Sequence, residues 1–221
     1  MSLTHLRHWI AYLAFAGVSE LRIYDHGGPS SSNVSLLLFG EAPSTMRIHH
    51  IAWPVREYAD AQRSAYVDSI RRARANADAM WLMHLDVDEY PFSPVDTERD
   101  FLLRYLAGLP TKIAQVVMRS LFFGGPSDLA TQPDAPLPLQ FNHRMPEAEP
   151  ASQRTKYIAR VRDIDDGWQS DIVHRLRMAY DAQDLVPDPD VLRVNHYWGR
   201  RLSKPLASLR WDSGLRIHRT V

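Results

Sequence analysis

Apolar residues recur at helical spacing near the start of the chain. They run from Leu3 to Leu13 at intervals of three or four residues, and Gly17 follows as a residue that commonly ends a helix. This pattern predicts an amphipathic helix over residues 3–17. The same stretch carries an A-x-A sequence after basic residues, as a secretory leader does, but its helical spacing favours a helix of the folded domain.

Apolar patterns of two different periods alternate along the next hundred residues. "ELRIYD" alternates apolar and polar positions as a half-buried strand does, whereas "DAQRSAYVDSIRRARANAD" has the period of a helix. Alternating strands and helices predict an α/β fold. The predicted order is a strand at 20–25, a loop, a strand at 45–55, a helix at 60–78, a strand at 79–90, a helix at 97–107 and a strand at 112–123.

Residues 79–90, "AMWLMHLDVDEY", form a nearly continuous apolar run that ends in three carboxylates. Such a run is typical of a strand that is buried on both faces and emerges at the carboxyl edge of a sheet. Ligands of open α/β sheets bind at that edge. We therefore expect the functional site to lie where this run ends.

The pattern changes after residue 123. Frequent prolines and a Gly-Gly pair in residues 124–150 predict a long loop over the site and no regular element. Residues 155–164 and 170–180 are typical of short strands that form a β-hairpin, and 191–200 of a strand end that enters a helical tail.

Composition narrows the function classes. The 26 basic and 26 acidic residues balance, so the net charge predicts neither a nucleic-acid partner nor an anionic membrane. With no cysteine, the chain has no disulfide, thiol nucleophile or thiolate metal site, and any metal must be held by carboxylate, imidazole or water. The longest apolar run near the start is about half of the ~20 residues that a transmembrane helix needs.

The acidic group Asp86, Asp88 and Glu89 needs a positive partner. Burying several carboxylates at the end of a core strand is costly unless a cation compensates them. Either an arginine or a metal ion would serve. An arginine would make the group a structural ion pair, and a metal ion would make it a functional site; these residues alone leave both open.

Five blocks of the sequence together resemble a known family. The chain is similar to glycosyltransferase family 92 and related family 2-like enzymes over nearly its whole length. The blocks occur in the same order and with similar spacing: "HLRHWIAYLAFAGVSELRIYDHGG", "HHIAWP", "QRSAYVDSIRRARANADAMWLMHLDVDEY", "TKYIARV" and "VNHYWGR".

The resemblance implies a GT-A fold, an α/β architecture in which helices flank a Rossmann-like nucleotide-binding sheet. It also implies metal-dependent transfer of a sugar from a nucleoside-diphosphate sugar, favoured to be UDP-linked, to a glycan or other hydroxyl acceptor. Mn²⁺ or Mg²⁺ at the D-x-D pair would bridge the donor diphosphate. Asp86 would lie toward the ribose and the metal, and Asp88 would bind the metal directly.

Further residues match positions of the same family. The resemblance implies that Asp25 borders the nucleotide base and ribose, that Gln62 and Arg72 contact the donor, and that Arg200 and Lys204 meet the diphosphate. The length of 221 residues predicts one domain, residues 1–221. Its nucleotide-sugar-binding half would be residues 1–123, and residues 124–221 would complete the acceptor and metal sites.

The remaining expected roles concern the metal and the general base. His196 resembles the C-terminal histidine that many GT-A enzymes bring back to the metal, and His174 is its rival. An inverting transfer needs a carboxylate near the acceptor hydroxyl. The candidates for that base are Glu89, Asp165, Asp166 and Asp171, of which Glu89 and Asp171 are taken as the expected pair.

One element of the family pattern is absent from the chain. The family domain normally begins with a strand before the helix that we predict at 3–17. Without that strand, two neighbouring strands would lose ladder hydrogen bonds, which predicts a truncated gene model or fragment that is poorly soluble or inactive unless another segment fills the gap.

Two other functions compete with transfer. Haloacid-dehalogenase-like phosphatases also place a D-x-D after an apolar strand, but Tyr90 stands where their motif has threonine or valine. A catalytically incomplete GT-A-like protein that binds sugar or metal is the other alternative.

Overall fold

The computed structural model describes residues 3–26, 46–54, 58–124, 135–141, 143–146, 154–165 and 173–197. Helix α1, Leu3–Ala16, buries its apolar stripe as the spacing predicts. Gly17 then adopts a φ of 103°. A side chain there would lie 3.0 Å from the Leu103 Cβ, so this turn requires glycine.

The next elements confirm the alternating pattern. Strand β1, Glu20–Asp25, pairs in parallel with β2, Arg47–Ala52, in a two-stranded sheet. Helix α2, Tyr58–Ala75, follows. Six residue pairs form this ladder, from Glu20–Arg47 to Asp25–Ala52.

The prediction of one strand over 79–90 is wrong. The chain forms β3, Trp81–Met83, and β4, Glu89–Phe92, with a turn between them. The Glu89 N–H donates to the Asp86 carbonyl at 3.0 Å and closes that turn. The turn keeps the acidic residues out of a straight apolar ladder, where they would lack partners.

Among the described residues, the remaining strands form a seven-stranded sheet. Helix α3, Phe101–Ala107, leads into its longest strand, β5, Ile113–Gly124. The later strands are β7, Thr155–Arg160, β8, Gln183–Leu185, and β9, Arg193–Tyr197. β5 is antiparallel to β7 and parallel to β8 and β9, and β3–β7 and β4–β9 are antiparallel pairs. The main path runs in the order β3-β7-β5-β9-β4.

The protein is therefore mixed α/β, as predicted, with helices flanking a central sheet. Strands β7 and β9 come after residue 124, yet β7 pairs with β3 and β5, and β9 lies between β4 and β5. Among the described residues, the two halves predicted from the sequence are thus interleaved in one sheet. No helix in the described ranges is long and apolar enough to span a bilayer.

The absence of regular structure predicted for 124–150 is wrong within its described part. Helix α4, Leu137–Gln140, and strand β6, His143–Arg144, lie there, and β6 pairs with the end of β5. Proline is compatible with the first turn of a helix because those N–H groups have no intrahelical acceptor. Leu137 and Phe141 are buried and anchor the segment.

The predicted β-hairpin is only partly observed. Its first strand is β7, which ends in a 3₁₀ turn, Val161–Asp163. The described part of the second strand forms a single antiparallel bridge, between Ile164 and Met178. The strand of 191–200 is confirmed as β9, and the predicted helical tail beyond it lies outside the described residues.

Candidate functional site

The site is built on the turn between β3 and β4, Asp86–Glu89. Two hydrogen bonds close this turn from opposite directions. The Glu89 N–H donates to the Asp86 carbonyl at 3.0 Å, and the Asp86 N–H donates to the Glu89 carboxylate at 2.9 Å. Trp9 of α1 adds a third bond, because its indole N–H donates to the Glu89 carbonyl at 2.8 Å. The D-x-D segment is thus held at both ends.

Lys156 supplies a positive charge next to the acidic group at the turn. Its side chain comes from β7 and is buried, with 3% exposure. The ammonium Nζ lies 2.9 Å from the Glu89 carboxylate and 3.6 Å from that of Asp86. The alternatives weighed from sequence were an arginine or a metal, so this lysine was missed.

Electrostatics at this pair follow from its burial. Burial opposes the charged form of Lys156, but Glu89, Tyr66 and Asp86 together outweigh it and hold the pKa of the lysine above its ordinary value. Burial also raises the pKa of the Glu89 carboxyl, against the opposing pull of Lys156. At a 2.9 Å separation we assign an ammonium–carboxylate ion pair.

His196 reaches the turn from β9. It lies directly across the ladder from Glu89, because β4 and β9 pair in that register. One ring nitrogen is 3.5 Å from the Asp88 carboxylate, and the other is 3.4 Å from Glu89. The Phe122 ring packs on the imidazole with a 4.6 Å centroid separation. The structure thus places His196 beside the D-x-D segment, and its role as a metal ligand stays a prediction.

Gln62 reaches the turn from α2. Its amide donates to the Asp86 carboxylate at 3.3 Å and to the Tyr66 hydroxyl at 3.3 Å. The Tyr66 ring is stacked on His84, with centroids 4.1 Å apart. The predicted Gln62 therefore does lie beside the D-x-D segment.

His84 forms a buried polar network beneath these groups. Ser69 donates its hydroxyl proton to the Tyr66 carbonyl at 2.8 Å, so its oxygen accepts from the His84 Nε2–H. The Tyr157 hydroxyl then donates to His84 Nδ1. This arrangement requires a neutral imidazole, and burial lowers the pKa of His84 to about 3.

The described side chains at the turn offer few ligands for a metal ion. Within the described ranges, no three His, Asp or Glu residues are grouped closely enough to hold a metal ion by themselves. Asp88 and His196 nevertheless offer a carboxylate and an imidazole nitrogen 3.5 Å apart. Adjacent ligand atoms of an octahedral ion with ~2.1 Å bonds are about 3 Å apart, so this pair fits two neighbouring positions after a small adjustment.

A groove opens on the β3 side of the turn. It has a volume of about 670 Å³, within the range of ligand pockets. Asp86 and Gln62 border it, as does Asp25 at the end of β1. The groove thus connects the end of β1 with the acidic turn.

The chain is similar to a glycosyltransferase. It is 26% identical over 198 residues to a glycosyltransferase family 92 protein of Ricinus communis. The match covers 87% of this chain and 32% of that relative, so the chain spans about a third of the relative's length. No family model matches. The similarity agrees with the resemblance seen in the sequence.

The other residues that the glycosyltransferase resemblance singled out are less closely grouped. Asp25 lines the groove and accepts a bond from His50 at 2.9 Å. Arg72 instead pairs with Asp68 at 2.6 Å and lines a second cavity with Arg22 and His50. The structure therefore does not bring Arg72 to the acidic turn.

Three of these residues, Asp171, Arg200 and Lys204, lie outside the described ranges, and their expected roles stay predictions. His174 is described, and its ring donates to the Thr155 carbonyl at 2.9 Å. Glu89 is 1% exposed and bound to Lys156. That geometry favours a charge partner over a general base, because a base must reach the acceptor hydroxyl.

Proposed function

We propose that the protein is a metal-dependent glycosyltransferase, with a GT-A fold, that moves a sugar from a nucleoside-diphosphate sugar to a hydroxyl acceptor. The observation that carries this proposal is the pairing of Asp88 with His196 of β9, 3.5 Å apart, at a turn whose Asp86 end borders a ligand-sized groove. The similarity to a glycosyltransferase family 92 protein supports the same reaction class.

The donor diphosphate is assigned to Asp88 and His196. Mn²⁺ or Mg²⁺ held there would neutralise charge on the leaving nucleoside diphosphate. Two protein ligands are few for either ion, and such ions are commonly completed by substrate phosphates and water. This assignment is consistent with the absence of a three-residue group within the described ranges.

The nucleoside is assigned to the groove next to the turn. Gln62 positions the Asp86 carboxylate at 3.3 Å, and Asp25 borders the same space from β1. In this arrangement Asp86 contacts the ribose. Lys156 and Glu89 hold the turn in shape from the buried side, and Asp171 remains the predicted general base.

A donor panel tests the proposal. Purified protein with Mn²⁺ is incubated with UDP-sugars and other nucleotide sugars, and release of nucleoside diphosphate is measured. Asp88→Asn is expected to lower release at least a hundredfold and to weaken Mn²⁺ binding in calorimetry. The matched control is Asp96→Asn, because Asp96 pairs with Arg104 on the exposed surface and should leave both quantities unchanged.

The outcomes separate the competing functions. Equal release by wild type and Asp88→Asn would contradict the proposal. Donor and Mn²⁺ binding without release would favour a catalytically incomplete sugar-binding protein. Hydrolysis of a phosphate ester, abolished by Asp86→Asn, would favour a phosphatase.

A further inference from the structure

His174 lies at the start of β7, where β7 loses β3 as its neighbour. The pairing of β3 with β7 ends at Met83. If β3 continued in the same register, Asp86 would lie opposite Thr155. It does not continue, because the Asp86 N–H donates to the Glu89 carboxylate at 2.9 Å and closes the turn. The backbone of Thr155 therefore needs another partner on this side.

The carbonyl of Thr155 points toward the place that β3 leaves. In an antiparallel ladder, successive residues turn their N–H and C=O groups to alternate neighbours. Just before β7, the Arg154 carbonyl accepts from Ser120 of β5 at 2.9 Å. Just after β7, the Val161 N–H donates to the Met80 carbonyl, beside β3, at 3.1 Å. Even-numbered residues of β7 thus face β5, and odd-numbered residues, including Thr155, face β3.

The ring of His174 takes this place beside the turn. Its Nδ1 lies 2.9 Å from the Thr155 carbonyl, which can only accept, so Nδ1 carries a proton. In the neutral imidazole, Nε2 is then a hydrogen-bond acceptor. Among the described residues, both hydrogen bonds of His174 are with Thr155, and His174 is partly exposed. Nε2 is therefore available to a donor from outside the protein.

The segment that carries His174 is held in place without its ring. Gln115 of β5 binds the backbone of Leu176 on both sides: its amide donates to the carbonyl at 3.1 Å, and its amide oxygen accepts from the N–H at 2.8 Å. The Thr155 hydroxyl donates to the His174 carbonyl at 3.1 Å. The bond from Nδ1 therefore orients the ring and is not needed to anchor the segment.

His174 and the nucleoside groove lie on opposite sides of β3. The groove is lined by β1 and β3, whereas β7 pairs with the other edge of β3. The start of β7 reaches the turn, because the Lys156 ammonium lies 3.6 Å from the Asp86 carboxylate. A donor whose nucleoside fills the groove and whose diphosphate crosses the turn would extend its sugar toward the β7 side.

We propose that His174 is a sugar-binding residue, and that its Nε2 accepts a hydrogen bond from a sugar hydroxyl. This inference rests on the proposed glycosyltransferase function. A hydroxyl supplies the proton that an unprotonated Nε2 requires, whereas an ionised phosphate supplies none. The hydroxyl belongs either to the transferred sugar or to the acceptor. His174 orients that sugar, and Asp171 stays the predicted general base.

Two substitutions isolate Nε2. His174→Asn keeps an N–H near the position of Nδ1 and removes Nε2, whereas His174→Gln places an amide oxygen near Nε2. The probes are the nucleotide sugar that the donor panel identifies and, as acceptors, methyl glycosides of glucose, galactose, mannose and N-acetylglucosamine. His174→Asn should raise one KM by about three- to tenfold, as expected for one lost hydrogen bond, and His174→Gln should recover most of that loss.

The source of the hydroxyl follows from which KM rises. A higher KM for the nucleotide sugar assigns the hydroxyl to the transferred sugar, and a higher KM for a methyl glycoside assigns it to the acceptor. Calorimetric binding of UDP and of Mn²⁺ should be unchanged in both variants. His49→Asn is the matched control, because it makes the same substitution at a half-exposed histidine.

A second measurement does not depend on turnover. In protein labelled with nitrogen-15 histidine, the His174 signals are identified by their loss in His174→Asn. Nε2 should resonate as an unprotonated nitrogen and Nδ1 as a protonated one. At least one methyl glycoside should shift the Nε2 signal of the wild-type protein.

Three results would overturn the proposal. Weaker Mn²⁺ binding by His174→Asn would make the residue a metal ligand. A protonated Nε2 in the neutral ring would remove the acceptor. In an active enzyme, unchanged KM values for both probes would leave His174 a structural residue. If no nucleotide sugar is turned over, the glycoside titration decides: a shift of Nε2 supports the sugar site, and no shift refutes it. Failure of the glycosyltransferase assignment is therefore separable from failure of this site.

Discussion

The two strands that flank the Asp86–Glu89 turn, β3 and β4, differ in the strand pairing around them. Beyond Glu89, β4 pairs with β9, and β9 pairs with β5, so that side is a continuous ladder. Before Asp86, β3 has one strand partner among the described residues, and its other edge lines the groove. A site needs both a rigid frame and access for its ligand. The turn lies where these two conditions meet.

Burial follows the same division. Leu192 and Val194 on the supported side are fully buried. On the groove side, Trp81 and Met83 are only partly buried within the same core cluster. Substitutions on the supported side should therefore cost more free energy of unfolding than comparable substitutions along the groove.

The largest loss is expected for Lys156→Met. This change leaves the Glu89 carboxylate buried without its ammonium partner, which typically costs about 3–5 kcal/mol of unfolding free energy. Urea denaturation measures the loss. Lys112→Met is the matched control, because Lys112 is exposed and should change stability by less than about 0.5 kcal/mol.

The same prediction has an internal check. In the double variant Lys156→Met with Glu89→Gln, no carboxylate remains at position 89 to be stranded. The combined loss should be smaller than the sum of the two single losses. An additive result would contradict the ion-pair assignment.

A pair of leucine substitutions compares the two sides directly. Leu192→Ala should lower the free energy of unfolding by about 3 kcal/mol, because Leu192 is 0% exposed within a buried hydrophobic cluster. Leu21→Ala should cost less than about 2 kcal/mol, because Leu21 borders the groove and is 9% exposed. Equal losses in urea denaturation would mean that the groove side is packed as firmly as the other.

A smaller loss of folding stability is expected when the pH is lowered, because His84 is buried as a neutral imidazole. Its pKa is about 3 in the folded protein and about 6.5 in an unfolded chain. The unfolded state therefore binds the proton more strongly, and stability is full above pH 6.5 and is lost progressively toward pH 3. Between pH 7 and pH 5 this group alone should remove about 2 kcal/mol.

Variants separate this loss from general acid effects. His84→Gln should reduce the loss between pH 7 and pH 5, measured by urea denaturation at each pH. His49→Gln is the matched control, because it makes the same substitution at a histidine whose side chain is half exposed. An unchanged slope in His84→Gln would refute the buried neutral histidine.

Local pattern was sufficient for the elements that carry a clear period. α1 has helical spacing and a glycine stop, and β1 alternates, so both were predicted close to their observed bounds. The turn at Asp86 was harder to predict, because the apolar residues before it have the same pattern whether the strand continues or turns. What decides the turn is the bond between Asp86 and Glu89, which local periodicity does not encode.

Contacts between distant residues limited the prediction of the site. Lys156 stands within an otherwise apolar strand, which is a signal that its charge must find a partner. The pairing of β7 with β3 decides which partner the lysine meets. Neither segment alone determines that register. His196 was predicted through the family resemblance, and Glu89 lies opposite it only because β4 and β9 pair in that register.

The position of β9 also affects how the protein is made. β5 is complete at Gly124, but β9, which pairs with it and carries His196, begins at Arg193. At about 5–20 residues per second, a ribosome needs several seconds to synthesise the intervening chain. During that interval the end of β5 lacks β9, and exposed strand edges are prone to aggregation. Slow codons between these strands should therefore lower the soluble yield, and a chaperone that shields the β5 edge during synthesis should restore it.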